Sequence, residues 1–558
     1  MKWYQSLARW TLLAAVGLLG IGYLANGLSG DGRSTQPPPI PKASTASETA
    51  DWMEVVADVD AEFETTWNRE SLSRAPAADW QTVSRRISLA LIGSSISLED
   101  MRWLESLPEG TQVDALTERL LADHRFADYW AERLGRAYVG ADIGPFIVYR
   151  RRRFITWLSQ QLHDRVPYSQ IVRKLITAKG IWTENPQVNF LTVTLDTTEK
   201  GRVDPVRLAA RTSRAFLGMR IDCLQCHDDF LGNVTLGTNS DPLEGTQRDF
   251  HHLAAFYSTA ANSIQGIRDD GKTYEYQFLY EDETEEVEPI VPFLPELLTT
   301  DSAAEKLPSR QQLARWVTHP ENIPAARAAV NRVWALMFGK PLSDPVDDIP
   351  LHGPFPAGLD RLAHDFAEHD WDLRRLIRII SHLQTFRLDS RCDFEVTSEH
   401  EQAWAVYPLI RLRPEQVASS IIQSCRLATL DRQSALLVQL QAFGEKNDFI
   451  NRYGDTGEDE FGQDAITITQ RLLAMNGKLV NERTGENPFM NASSQIAMFA
   501  TDDAHAVEIT YLSILNRRPT DEEAAALVRQ SEQGVSRRQF VEDLYWILIN
   551  SSEFSWNH

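Results

Sequence analysis

Apolar residues recur at helical spacing along almost the whole chain from Trp52 to Phe554, and this periodicity limits the fold more than any other feature. Between Val113 and Tyr138, the residues Leu116, Leu120, Phe126, Trp130, Leu134 and Tyr138 form one such stripe, which reads as core rather than as a cofactor box. Ser97 and Asp204 stand where helix N-caps belong, with Pro205 at the first helical position and Gly218 placed to stop the helix that Asp204 starts. Residues 231–249, rich in Gly, Asn, Thr and Asp, read as a long irregular loop. Residues 273–279 alternate like a hairpin arm, and 281–288 (EDETEEVE) read as an acidic loop.

The pattern predicts a mainly α fold of two helical domains, with a long irregular loop region and a small hairpin between them. A chain of 558 residues exceeds one ordinary core. The expected divisions are a signal or anchor helix (1–28), a Pro/Ser-rich tether (29–51), a helical domain with the cysteine motif (52–262), a loop and hairpin connector (263–306) and a second helical domain (307–558).

The N-terminus points to export. Lys2 and Arg9 precede the apolar run from Trp10 to Ala25, and the basic flank would stay on the cytoplasmic side. Ala25 and Gly27 offer a weak cleavage site. The run reads as an uncleaved anchor, which places the bulk of the chain outside the cytoplasm, in the cell envelope (periplasmic). The net charge of -22 excludes a nucleic-acid partner, which requires a basic surface.

Of the four cysteines, Cys392 and Cys425 are open to pairing or to burial as free thiols, whereas Cys223 and Cys226 belong to Cys223-Leu224-Gln225-Cys226-His227. Two thiols three positions apart can form thioethers to the vinyl groups of one haem, and the adjacent imidazole then reaches the iron as proximal ligand. The same spacing suits zinc, with His251, His252 or Asp229 as a fourth ligand, and it also suits a redox dithiol or disulfide. If haem c is bound, His251 or His252 would give a bis-histidine centre, while Met219 lies too close along the chain. The basic run Arg150–Arg153 reads as a helix-terminal charge cluster. Arg327, Asn331 and Arg332 read as helix-face groups that pair with acidic loop residues such as Asp347 and Asp348. The sequence has no phosphate-cradling glycine loop, nucleophile elbow or His-Glu-x-x-His helix.

Several stretches carry a family resemblance. The run from Arg207 to Gly218 followed by Cys223-Leu-Gln-Cys-His-Asp228, together with 120–130 (LLADHRFADYW) and 166–172 (VPYSQIV), resembles the planctomycete cytochrome-like domain family. Residues 313–316 (LARW), 329–334 (AVNRVW), 370–377 (DWDLRRLI), 411–416 (RLRPEQ) and 517–523 (RRPTDEE) resemble the planctomycete-specific domain that follows it. The family's cytochrome label rests on the same motif and its biochemical role is unsettled; the motif and the export signal lead us to expect a cytochrome-like protein acting in electron transfer or haem-assisted oxidation, with a redox partner protein or an envelope surface component. The alternative is a helical scaffold whose motif is a structural zinc or disulfide site. Asp229 stands where the family has a second histidine and Phe230 where it has proline, so a role of that histidine would fall to Asp229, His251 or His252.

Overall fold

The computed structural model describes residues 46–141, 149–195, 202–238, 241–299, 307–454, 461, 467–488, 490–532 and 534–558. The expected anchor and the tether up to residue 45 lie outside them. Among the described residues helix makes up 58% and strand 6%, the strands forming only small two-stranded sheets. Among the described residues no helix is long and apolar enough to cross a membrane.

Helix α1 (Ala46–Glu70) begins inside the segment read as tether. Trp52, Val55, Val56, Val59, Phe63 and Trp67 are all buried, and their three-to-four spacing puts them on one face. α2 (Trp80–Ile92) is capped by Asp79, which accepts from Thr82 N at 2.7 Å. α3 (Leu98–Glu105) is capped by Ser97, which accepts from Asp100 N at 3.0 Å, as the sequence predicts. The stripe over 113–138 spans two helices: α4 (Gln112–Ala122) and α5 (His124–Val139) part at Asp123, whose carboxylate accepts from Arg125 N. α6 (Arg151–His163) starts in the basic run, where Arg151 pairs with Glu132 at 2.8 Å, and α7 (Tyr168–Ile176) follows. α8 (Pro205–Thr212) opens on Asp204, continues as a π-helical turn over Ser213–Leu217 and stops at Gly218, whose φ is 63°.

Residues 231–249 are not an irregular loop. β1 (Thr235–Thr238) and β2 (Asp241–Glu244) form an antiparallel hairpin with Leu236 opposite Leu243, and α9 (Gln247–Ala255) starts at a Thr246/Asp249 capping box. The Gly, Asn and Thr content that suggested a loop belongs to hairpin ends and caps. β3 (Ala260–Ser263) pairs with β4 (Gly266–Asp269), and β5 (Tyr274–Tyr276) pairs with β6 (Glu285–Val287), so the alternating arm is a strand and its partner lies in the acidic segment.

The second half contains α10 (Ser309–Val317), α11 (Ile323–Phe338), α12 (Leu359–Glu368), α13 (Leu373–His382) and α14 (Pro414–Ser424), followed by further helices to Ser555. One continuous apolar core runs through both halves. Phe63 of α1 stacks 6.0 Å from Trp334 of α11. Buried Arg86 of α2 donates to Phe386 O at 2.9 Å and Leu388 O at 2.7 Å, while Arg85 donates to Phe554 O at 3.0 Å. Arg327 pairs with Asp360 at 2.6 Å rather than with Asp347, which is held by Arg220 at 2.7 Å. Asn331 clamps the next loop through Leu342 N, Ser343 N and Ser343 O. Cys392, which donates to Phe394 O, and buried Cys425 are free thiols and do not pair.

Candidate functional site

α8 and its π-helical turn deliver the cysteine motif. Gly218 makes this close approach work: a Cβ there would lie 3.0 Å from Ala328 Cβ, in a left-handed conformation that glycine alone adopts freely. Its carbonyl accepts from Ile349 N at 2.7 Å. Ion pairs of Arg214 with Asp222 at 2.6 Å and of Arg220 with Asp347 flank the connection. The motif itself forms a short 3₁₀ turn (Asp222–Gln225) anchored by fully buried Leu224, and Cys223, Cys226 and His227 all stand exposed.

The turn is held from its centre. The carbonyl of Gln225 accepts from His251 Nε2 at 3.1 Å, from Gln247 Nε2 at 3.1 Å and from the Tyr276 hydroxyl at 3.3 Å. Gln247 N, at the start of α9, donates to the Asp228 carboxylate at 2.7 Å, where the helix dipole favours a negative charge. His251 is 1% exposed, and its ring stacks on Tyr276 with centroids 3.5 Å apart. Since Nε2 donates to a carbonyl, Nδ1 is the unprotonated nitrogen and accepts from the Tyr274 hydroxyl at 2.8 Å. Burial pushes the pKa of His251 down, which agrees with a neutral ring.

The remaining candidate ligands are engaged elsewhere. Asp229 is buried, and its carboxylate accepts from Leu231 N at 3.0 Å and from Val234 N. Val234 N–H, with those of Leu231, Asn233 and Gly232, holds this carboxyl below the usual range against the opposing effect of burial. Asp229 thus shapes the turn before β1. His252 donates from Nδ1 to Glu288 O at 2.6 Å, on the β6 side of α9. The structure therefore does not assemble Asp229, His251 and His252 around the cysteines. Among the described residues, no three His, Cys, Asp or Glu side chains are grouped so as to hold a metal ion.

Although Cys223 is exposed, partial desolvation by its neighbours, and then the charges of Asp229 and Asp222, push its thiol up. Reactive redox thiols need the opposite surroundings. His227 donates from Nδ1 to the Asp228 carbonyl at 2.7 Å, which leaves Nε2 as the nitrogen with a lone pair. Its ring lies 6.3 Å from that of Phe230, nearly parallel, and Phe230 and Leu231 are 72% and 84% exposed. The motif thus presents two thiols, one imidazole nitrogen and apolar side chains on an open rim. These residues fit the needs of covalent haem: two accessible sulfurs and a histidine whose other nitrogen is already fixed on a carbonyl.

Gln225, Gln247, Tyr274 and Tyr276 were not legible as site residues. Their contacts join positions 22 to 51 residues apart, and the only local signal is the alternation that marks the strand carrying both tyrosines.

Residues 58–261 match PSCyt2, described as a protein of unknown function (DUF1549), and residues 309–435 match PSD1, a protein of unknown function (DUF1553). No curated protein and no solved structure matches the chain.

Proposed function

On a chain that carries the PSCyt2 and PSD1 domains in tandem, we propose that Cys223, Cys226 and His227 attach haem c, and that the protein serves electron transfer or haem-assisted oxidation in the cell envelope. Its partner would be a redox protein or an envelope surface component, and residues 1–28 would anchor it in the membrane. The observation that carries this reading is the state of His227. An exposed imidazole whose Nδ1–H is bound to the Asp228 carbonyl offers Nε2 outward, beside two exposed thiols. Metal-bound histidines almost always have their second nitrogen fixed in this way.

Bound haem would supply a one-electron iron couple. The chain's own residues supply the rest. Cys223 and Cys226 would hold the haem through thioethers, and His227 would offer Nε2 to the iron. His251, Gln247 and Tyr276 fix the peptide between the cysteines through the Gln225 carbonyl, so both sulfurs keep their spacing. Phe230 and Leu231, both exposed on the rim, would supply apolar surface for the macrocycle to pack against. The zinc reading has less support, because Asp229, His251 and His252 would each have to give up existing hydrogen bonds to serve as a fourth ligand.

The test is expression in a host with a c-type maturation system. Haem that resists acid–acetone extraction and gives a reduced α-band, with loss of both in Cys223→Ser/Cys226→Ser, is the expected result. Complete extraction of colour, or stoichiometric zinc by elemental analysis, would overturn the proposal and favour the scaffold reading.

A further inference from the structure

A second feature lies on the helix that begins one residue beyond the PSD1 match. α15 (Leu436–Tyr453) packs on α14, and Ala442, Phe449 and Tyr453 are its buried side chains. At about 100° per residue these three point to one side of the helix. The opposite side is apolar as well: Leu436, Leu437, Leu440 and Phe443 are between 57% and 81% exposed. A helix that is apolar on both sides is ordinarily covered on both. Four such side chains present on the order of 500 Å² of apolar surface, a patch of the size that marks sites of association.

Gly444 belongs to the same side. A Cβ there would meet no atom within 4 Å, so nothing packed against it in the chain requires a glycine. A glycine in mid-helix costs stability relative to alanine, and it serves where another group must approach the backbone closely. The stripe is also symmetrical about Leu440. Leu436 and Gly444 stand four positions to either side of it, and Leu437 and Phe443 stand three. Three and four are the steps that bring residues to one face of a helix. Turned end for end about Leu440, the stripe therefore meets itself.

We propose that two copies of this chain associate through α15, antiparallel and related by a two-fold axis at Leu440. The contact is isologous, the commonest arrangement of soluble oligomers. Leu436 of each copy falls into the notch at the partner's Gly444, Leu437 packs on the partner's Phe443, and Leu440 meets the partner's Leu440. Stable interfaces bury about 800 Å² per partner, of which the apolar stripe supplies more than half. Exposed Asn447 and Asn451 continue the same side without charge, as suits a polar rim. Two copies of net charge -22 repel each other at long range, so the association rests on the apolar contact and tightens as salt screens the charge. It goes beyond the haem reading and does not depend on it.

Sedimentation velocity of the full chain over a concentration series tests this. The expected result is a species of twice the chain mass whose share grows with concentration and with salt. Leu440→Glu sets two carboxylates against each other on the axis and removes two buried leucines, so it should raise the dissociation constant about a hundredfold or more. Gly444→Gln favours the helix yet fills the notch, and it should also leave a single copy. Both positions are open in the isolated chain, so circular dichroism should show each variant folded. Leu243→Glu, at a leucine 54% exposed on β2, should leave the dimer intact. A single-copy mass up to the highest concentration reached, or a dimer that survives both α15 substitutions, would overturn the proposal.

Discussion

The buried imidazole of His251 donates from Nε2 to the carbonyl of Gln225 at 3.1 Å, so a residue on α9 holds the peptide that lies between the two motif cysteines. The same ring accepts from Tyr274, and thus ties the β5–β6 hairpin to the motif.

His251→Phe should keep the stacking on Tyr276 but lose both hydrogen bonds, leaving the Tyr274 hydroxyl without its acceptor. We expect a loss of about 1–3 kcal/mol in urea unfolding. The pH dependence has a definite sign. Burial lowers the folded-state pKa below the ordinary 6.5, so the unfolded chain binds the proton first and stability falls as the pH drops below 6.5. His251→Phe should lack that component, and an unchanged acid slope would contradict the assignment of a neutral, buried ring.

The Asp229 carboxylate raises the Cys223 pKa, second only to partial desolvation. In a Cys226→Ser background, Asp229→Asn should shift the pH profile of Cys223 alkylation to lower pH, because the neutral amide no longer opposes the thiolate. Cys425, fully buried and pushed up to about 12, should stay unlabelled throughout in the folded protein.

Glu415 sits between Arg133 at 2.8 Å and Arg413 at 3.0 Å, all three buried. Although burial alone would raise its pKa, the two arginines bring the carboxyl down from the ordinary 4.5 to about 2. Its stabilisation is therefore complete above pH 4.5 and is lost as pH falls from 4.5 toward 2. Glu415→Gln should cost about 3–5 kcal/mol at neutral pH, since two buried guanidinium groups lose their counter-charge. The variant should also show a shallower acid-unfolding profile over that interval.

Phe63 is 1% exposed and belongs to the N-terminal helix, yet it packs on Trp334 in the second half. Phe63→Ala should cost about 3–5 kcal/mol. It should also lower the unfolding transition of the whole molecule in a single step, as differential scanning calorimetry would show. A separate early transition confined to the first half would argue against one shared core.

Much of the architecture could be read from local rules. The N-caps at Ser97 and Asp204 and the stop at Gly218 follow from side-chain oxygens that serve nearby N–H groups and from one backbone conformation open to glycine, and the structure has them in place. The hairpin and helix start over 231–249 were hidden because Thr246, Asp249 and the glycines have the same composition in caps and turns as in loops. The single stripe over 113–138 concealed the break at Asp123, because both helices keep their apolar faces on the same core.

The helical class, the caps and the Cys-x-x-Cys-His spacing are local properties, since each depends on residues within a few positions of one another. The folded chain alone shows that His251 is occupied by a carbonyl and a hydroxyl and Asp229 by backbone N–H groups, and that Gln247 and Tyr276 steady the motif. Those relationships are contacts between distant segments brought together by burial of one common core, and no local periodicity encodes which buried polar groups will meet.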